Sequence, residues 1–407
     1  MNKHSPKLSE MPFPHASEAL KRFTVLDISR VRSGPTAVRH LADWGANVIK
    51  VEMPEGSEEG EPLAGPNSGA DLQNLHRNKR GITINMKTPE GLEILQRIVK
   101  EADVVVENFR PGVKYKLGVD YESLSKINPR IVYASISGFG QEGPYKDRPG
   151  FDQIGQGMGG LMSVTGMPGQ GPLRVGIPIA DTTSGVFAAM GILIALLERE
   201  QSGKGQWVQS SLLQAQIFML DSIAARFLNG GPVPVSTGND HPVSTPTGVF
   251  KTKDGYINIA TSGQKMWDRL CKAIEAPDLL ANPDYESTAQ RADRREQLHA
   301  DIDTRLLNKT SQEWIKILND AGVPSGPIYS FDQMFEDPQV KLLEVVKSVE
   351  RLDGSTLNVL AQPFTLSRTP SNIVAPPPLT GQHTEEVLLS LGYTPDDIAT
   401  LRTKKVI

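Results

Sequence analysis

A single cysteine, Cys271, stands in a chain of 407 residues, so no disulfide can form within it. The first twenty residues have no apolar run of the kind a secretory signal needs. They are polar, broken by Pro6, Pro12 and Pro14, and read as a flexible arm over 1–20. These absences point to a reducing compartment: the cytoplasm or, in a eukaryote, an organelle matrix. The longest apolar helix candidate runs near 186–197, shorter than the roughly 20 residues that span a bilayer, so no membrane partner is expected. Basic residues show no excess. The net charge is −4, which argues against nucleic acid as a partner.

Familiar catalytic signatures are missing as well. There is no Walker A sequence, no G-x-S-x-G elbow and no H-E-x-x-H. The seven histidines are scattered, so no metal site is expected. Two G-x-G-x-x-G runs occur, over 138–143 and 155–160. Pro144 and Pro149 bar a helix after the first, and no clear strand precedes the second. A dinucleotide fingerprint needs strand, turn and helix together, which disfavours an NAD-binding oxidoreductase.

Strand-like runs are present at 23–28 (FTVLDI), 47–52 (NVIKVE), 103–107 (DVVVE), 131–136 (IVYASI) and 207–210 (WVQS). Helical runs alternate with them, among them 33–44, 88–102 and 211–228. Such alternation predicts an α/β fold, a Rossmann-like parallel sheet with helices on both faces. The texture changes near 229, where a long loop rich in Gly, Pro, Ser and Thr begins. A strand over 255–260 and charged helices over 264–320 follow. The division predicted is a large domain over 21–230 and 329–407 and a smaller α+β domain over 231–328. The tail is read as short strands and a last helix near 384–391.

One acidic residue stands out. Val175 to Ala180 reads as a buried strand, and the nearly all-apolar run from Val186 to Leu197 as a deeply packed helix. Asp181 falls between them, where a helix dipole and unfilled backbone N–H groups would keep its carboxylate ionised and aimed. A nucleophilic carboxylate needs both. An Asp in that place is more often simply an N-cap. Arg77, Lys79 and Arg80 form a basic cluster that is either a solvated surface or a phosphate site. His383 reads as a helix-opening residue and His241 as a loop residue.

Along the chain stand VLDISRVRSGPTAVRHLADWGANVIKVE (25–52), RNKRGITINMKTPEG (77–91), ADVVVENFRPGVKYKLG (102–118), NPRIVYASISGFGQEGPY (128–145), PGFDQIGQGMGGLMSVTG (149–166), GKGQWVQSSLL (203–213) and PPLTGQHTEEVLLSLG (377–392). In their order and spacing, these segments resemble the family III CoA-transferases, the formyl-CoA transferase group, from about residue 21 to 407. The resemblance implies an interlocked homodimer, with chain stretches near 215–231 and 323–335 crossing between domains. It implies acyl-CoA and carboxylic acid substrates, coenzyme A as part of the substrate, and no tightly bound cofactor. Asp181 matches the family's nucleophile. The CoA contacts carry over to Val31, Arg77, Asn78, Lys79, Arg80, Asn108, Phe109 and Lys116. Met53 replaces a basic residue common in the family, which alters one adenine-side contact. A glycine-rich loop that closes the site in some members would correspond to 237–248, with only Gly238 and Gly248.

The same fold serves α-methylacyl-CoA racemases, which resemble the chain around Phe151 and Asp152 but carry a histidine base where Phe151 stands. Phenylalanine accepts no proton, and racemisation needs a base–acid pair, so acyl transfer is favoured. Arg30 and Arg32, two apart at the end of the first strand, are expected to share a face. Either could meet a second carboxylate on the substrate or form a structural salt bridge. The run of segments looks closest to enzymes that use succinyl-CoA and another dicarboxylate. Formyl-CoA with oxalate is the alternative within the class.

Overall fold

A computed structural model describes residues 7–54 and 69–407. The expected arm falls partly on residues 1–6, outside the described residues. The chain forms two compact units. The first comprises 1–161, 174–231 and 343–407; the second comprises 162–173 and 232–342. The second unit thus takes in 162–173 and runs to 342 rather than 328.

The first unit is built on a parallel sheet of β1 (Thr24–Asp27), β2 (Asn47–Glu52), β3 (Arg80–Thr83), β4 (Val104–Glu107), β5 (Val132–Ser137) and β6 (Trp207–Ser211), in the order β3-β2-β1-β4-β5-β6. Helices connect the strands: α1 (Ser33–Asp43), α2 (Ala70–His76), α3 (Pro89–Glu101), α4 (Pro111–Leu117) and α5 (Tyr121–Ile127). Between β5 and β6 lie α6 (Asp152–Met158), α7 (Leu161–Val164) and α8 (Ile179–Ser202). β1 to β5 are buried at nearly every position, polar residues included, because both faces are covered; β6, at the sheet edge, is only half-buried. Successive residues point to opposite faces. Leu26, Ile49 and Val105 join one core with Ile94, Ile98 and Leu124. Val25, Val48 and Val104 join another with Val38, Leu41 and Ile192. Local chemistry sets helix ends. Thr88 caps α3 through the Gly91 N–H, worth about 1 kcal/mol.

After β6 the predicted single helix is two, α9 (Leu212–Phe218) and α10 (Asp221–Leu228), broken where Asp221 takes φ 39°. An antiparallel hairpin, β10 (Val346–Glu350) with β11 (Thr356–Leu360), precedes the C-terminal helices. A helix at Pro395–Thr403 follows the one expected to be last. In the second unit, β7 (Thr247–Lys251), β8 (Tyr256–Ala260) and β9 (Ser325–Pro327) form an antiparallel sheet. Phe250, Ile257 and Ile259 pack there with Trp267 and Trp314 from its helices.

Three expectations about α8 are corrected. The strand expected over Val175–Ala180 is absent: 175–178 are irregular, and Ile179 and Ala180 already belong to the helix. The helix begins two residues before Asp181 and has 24 residues, long and apolar enough to cross a membrane by length and composition. Its inner face packs against α1, β5 and β6, as a core helix does. It is not deeply packed all round: Met190, Ile194 and Leu197 are exposed on its outer side.

Candidate active site

The chain runs β1 to β3 outward on one side of the sheet and β4 to β6 on the other. The strand order therefore reverses between β1 and β4, and open α/β sheets bind ligands beyond the carboxyl ends of the strands at such a point. A cleft of about 320 Å³ opens there. Its walls are Arg30–Ser33 after β1, Asn108–Pro111 after β4, and, after β5, Gly138, Lys146 and Arg148–Phe151. Asp181 completes the wall.

Each loop is held from within. Asn108 grips the β1 loop twice: its Oδ1 accepts the Arg30 N–H at 2.7 Å and its Nδ2 donates to the Arg30 carbonyl at 2.6 Å. Val31 sits between with φ 62°, a left-handed conformation that costs roughly 1–2 kcal/mol outside glycine. Such strain persists where neighbours over-determine it. Glu107 at the end of β4 accepts the Phe109 N–H at 2.8 Å, and the buried Lys114 ammonium pairs with Glu107 at 3.3 Å. The loop after β5 folds back on itself at two glycines. A Cβ on Gly138 would stand 2.6 Å from the Gly150 Cα, so the crossing requires glycine there.

Asp181 occupies the third position of α8, whose N-cap Pro178 provides no capping side chain. The cap comes from Asp152 instead. Its Oδ1 accepts the Ala180 N–H at 2.9 Å and the Asp181 N–H at 3.4 Å. Among the described residues the Asp181 carboxylate has no hydrogen-bond partner. Its pKa is pushed up to about 6, first by burial and then by the Asp152 charge, with Arg32 acting the other way. The expected stabilisation by the helix end is thus outweighed. The carboxylate is still about nine-tenths ionised at pH 7. It is poorly solvated and unpaired, which suits attack on a carbonyl.

The cleft gathers Arg30, Val31, Arg32, Asn108, Phe109, Phe151 and Asp181 of the predicted residues. Phe151 is 55% exposed and presents a ring, not a base, to it. Arg30 and Arg32 lie in the turn beyond β1 rather than on the strand, so strand periodicity does not place them on one face. The Arg30 guanidinium lies 5.9 Å from the Phe109 ring centre. Arg32 pairs with the exposed Asp71 at 2.5 Å. Three cations that sequence reasoning missed, Arg110, Lys146 and Arg148, line the same cleft. The only signal for the last two was a KDR run after a glycine-rich turn.

Other predicted residues lie elsewhere. Arg77, Asn78, Lys79 and Arg80 are buried, and their side chains meet partners inside the fold. Arg77 forks onto Asp43, Asn78 donates to Asp43, Lys79 pairs with Asp27 and Arg80 with Glu386. The cluster is therefore neither a solvated surface nor a set of free phosphate donors. Lys116 is exposed on α4, outside the cleft lining; Lys114, two residues earlier, turns inward. Asp152 is 8% exposed, its oxygens engaged, rather than open to substrate. Gly238 and Gly248 belong to the second unit, where Gly238 has φ 64° and donates to the Gly166 carbonyl. Gly248 lies in β7, not in a loop.

The two glycine fingerprints also resolve. The first leads from β5 into a loop with no helix until Asp152, and the second lies within and just after the seven-residue α6. His383 precedes the helix Thr384–Ser390, and its Nδ1 accepts the Gly81 N–H.

The sequence matches CoA-transferase family III over residues 20–384. It is 36% identical over 387 residues to a succinate–glutarate CoA-transferase of Agrobacterium fabrum, covering 93% of this chain and 97% of that one. It is 34% identical over 411 residues to a formyl-CoA:oxalate CoA-transferase of Bradyrhizobium diazoefficiens, covering 94% and 96%. The fold is similar to a CaiB/BaiF family protein from Brucella suis, with TM-score 0.79 and 33% identity over 91% of this chain and 98% of that one. The chain belongs to CoA-transferase family III.

Proposed function

We propose that the enzyme moves CoA from succinyl-CoA to a dicarboxylate through an aspartyl-CoA thioester on Asp181. The observation that carries this reading is the unpaired, partly buried carboxylate of Asp181 on a cleft lined by cations. An Asp181 oxygen attacks the donor thioester carbon; the C–S bond breaks and CoA leaves as thiolate. The product is a mixed anhydride. The thiolate then attacks the Asp181 carboxyl carbon, the anhydride C–O bond breaks, and the donor acid departs. The acceptor carboxylate attacks the resulting thioester, and the same two steps run in reverse to return Asp181 as carboxylate.

Lys146, Arg148 and Arg110 suit the phosphates of CoA, because exposed cations at a cleft mouth attract them over a long range. Arg32 suits the distal carboxylate of the acid. Its bond to exposed Asp71 is worth about 0–1 kcal/mol, so a substrate carboxylate can displace it. The relatives that act on succinate and glutarate, or on formyl-CoA and oxalate, support a diacid. Phe151 supports transfer over racemisation, since it can hold no proton.

The same reading includes a homodimer. Val186, Met190, Leu193, Ile194 and Leu197 make an exposed apolar stripe at helical spacing on α8. Phe218 and Leu228 are 70% and 78% exposed on the helices that follow. Patches of this kind mark interfaces. Light scattering should give twice the chain mass.

Enzyme held with succinyl-CoA and quenched in hydroxylamine should carry a hydroxamate on Asp181, found by peptide mapping. Succinate, glutarate, oxalate and acetate, each offered with succinyl- and formyl-CoA, identify the acid pair. Substantial transfer by a folded Asp181→Ala enzyme would sink the covalent reading.

A further inference from the structure

Asp152 has a task that substrate contact does not describe. It stands at the start of α6, 8% exposed, with Phe151 as the N-cap residue before it. Oδ1 faces the first N–H groups of α8, at Ala180 and Asp181. Oδ2 accepts the Gln156 amide at 2.7 Å and lies 3.5 Å from the Arg174 guanidinium. Gln156 is itself buried; it accepts the Val175 N–H at 3.0 Å and donates to the Ile177 carbonyl at 3.1 Å. The segment leading into α8 is thus tied to α6 at four backbone positions, 175, 177, 180 and 181. A helix start that lacks its own cap leaves N–H groups orphaned. Here a carboxylate 28 residues upstream satisfies them.

We propose that Asp152 is a positioning residue for acyl transfer: its carboxylate supplies the cap that α8 lacks and so fixes Asp181 against the cleft. The proposal rests on Asp181 being the nucleophile. It adds a second consequence, because the capping group is also a charge. Asp152 is a like charge beside Asp181 and disfavours its ionised form, whereas Arg32 favours it. Other charges near the site are Arg174 on Asp152, Asp71 on Arg32, and the cleft cations Arg30, Arg110, Lys146 and Arg148. The neighbouring β5, β6 and α9 carry no charged residue. On α1, Arg39, His40 and Asp43 lie more than a turn beyond its start, with His40 on Gln362 and Asp43 on Arg77.

The test compares kcat, KM and the pH dependence of kcat/KM in wild type, Asp152→Asn and Asp152→Ala, each checked for folding by circular dichroism and gel filtration. With its nucleophile at a pKa of about 6, wild type should retain about one-tenth of its limiting kcat/KM at pH 5. Asp152→Asn keeps an oxygen for the two N–H groups and removes the charge. Its acid limb should move to lower pH, with a few-fold loss of kcat at pH 8. Asp152→Ala removes the cap, and a misplaced nucleophile loses about 100-fold in kcat with KM for succinyl-CoA little changed. Should Asp152→Asn not fold, Arg174→Ala serves in its place. It leaves the cap intact and the Asp152 charge less balanced, so the acid limb should move up. A folded Asp152→Asn with an unmoved limb, or an Asp152→Ala enzyme of wild-type kcat, overturns the proposal. In either case hydroxamate on Asp181 keeps the nucleophile reading intact, and its absence from wild type shows that reading to be the one at fault.

Discussion

Replacing Asp181 with asparagine should abolish transfer and make the protein more stable. The carboxyl rises from an ordinary 3.8 to about 6 in the fold. Each pH unit of difference is worth about 1.4 kcal/mol, so the full effect is about 3 kcal/mol against the ionised form. Asp181 is partly open to solvent, and screening reduces this to about 1–2 kcal/mol. The change also removes a negative side chain from the first turn of α8, which costs about 0.3–1 kcal/mol. A net gain of about 1 kcal/mol remains at pH 7.5. The sign follows from linkage. Between 3.8 and about 6 the folded protein holds more protons than the unfolded chain, so wild-type stability falls as pH rises through that window. Asp181→Asn cannot titrate and escapes the fall. Urea denaturation of both proteins at pH 7.5 and pH 5 measures the gap, which should shrink by about half at pH 5. A variant no more stable than wild type at pH 7.5, or a gap of the same size at both pH values, would refute the electrostatic account of this site.

Arg32→Gln should lower kcat/KM for a dicarboxylate acceptor about 10- to 100-fold, the value of a charged hydrogen bond of about 1.5–3 kcal/mol, and leave acetate nearly unaffected. Asp71→Asn should do the reverse, lowering KM for the diacid, because it frees the guanidinium; equal losses for diacid and acetate in Arg32→Gln would assign Arg32 to CoA or to the fold. Arg77→Ala leaves the buried Asp43 carboxylate without its ion-pair partner and should cost about 3–5 kcal/mol in urea. A raised KM for CoA thioesters at unchanged stability would instead return Arg77 to phosphate binding. Lys114→Ala, which strands buried Glu107, should cost a similar amount.

The sheet was legible because its signals are local. A strand buried on both faces shows as a short run with an apolar centre, and VL in β1, VIKV in β2, VVV in β4 and VYASI in β5 announce themselves in this way. The Thr88-Pro89 start of α3 is local too. What escaped depends on contacts between distant residues. The RNKR run looks like an available charge cluster, because nothing near it shows that Asp43, Asp27 and Glu386 will close on it. Lys146 and Arg148 sit in a loop without periodicity, which the close crossing of Gly138 and Gly150 and the packing of Phe139 on Tyr145 fold back on itself.

Asp181 itself shows how narrow the margin is. Placed at the helix cap, its oxygens would accept backbone N–H groups, and such bonds hold a carboxyl's pKa down. Placed two residues into the helix, with Asp152 taking those N–H groups, its oxygens are left without partners and burial drives the pKa up. The residue type and the adjoining helix are readable in the segment 175–198. The chemistry is decided by a carboxylate in another helix, and no pattern within the segment encodes that contact.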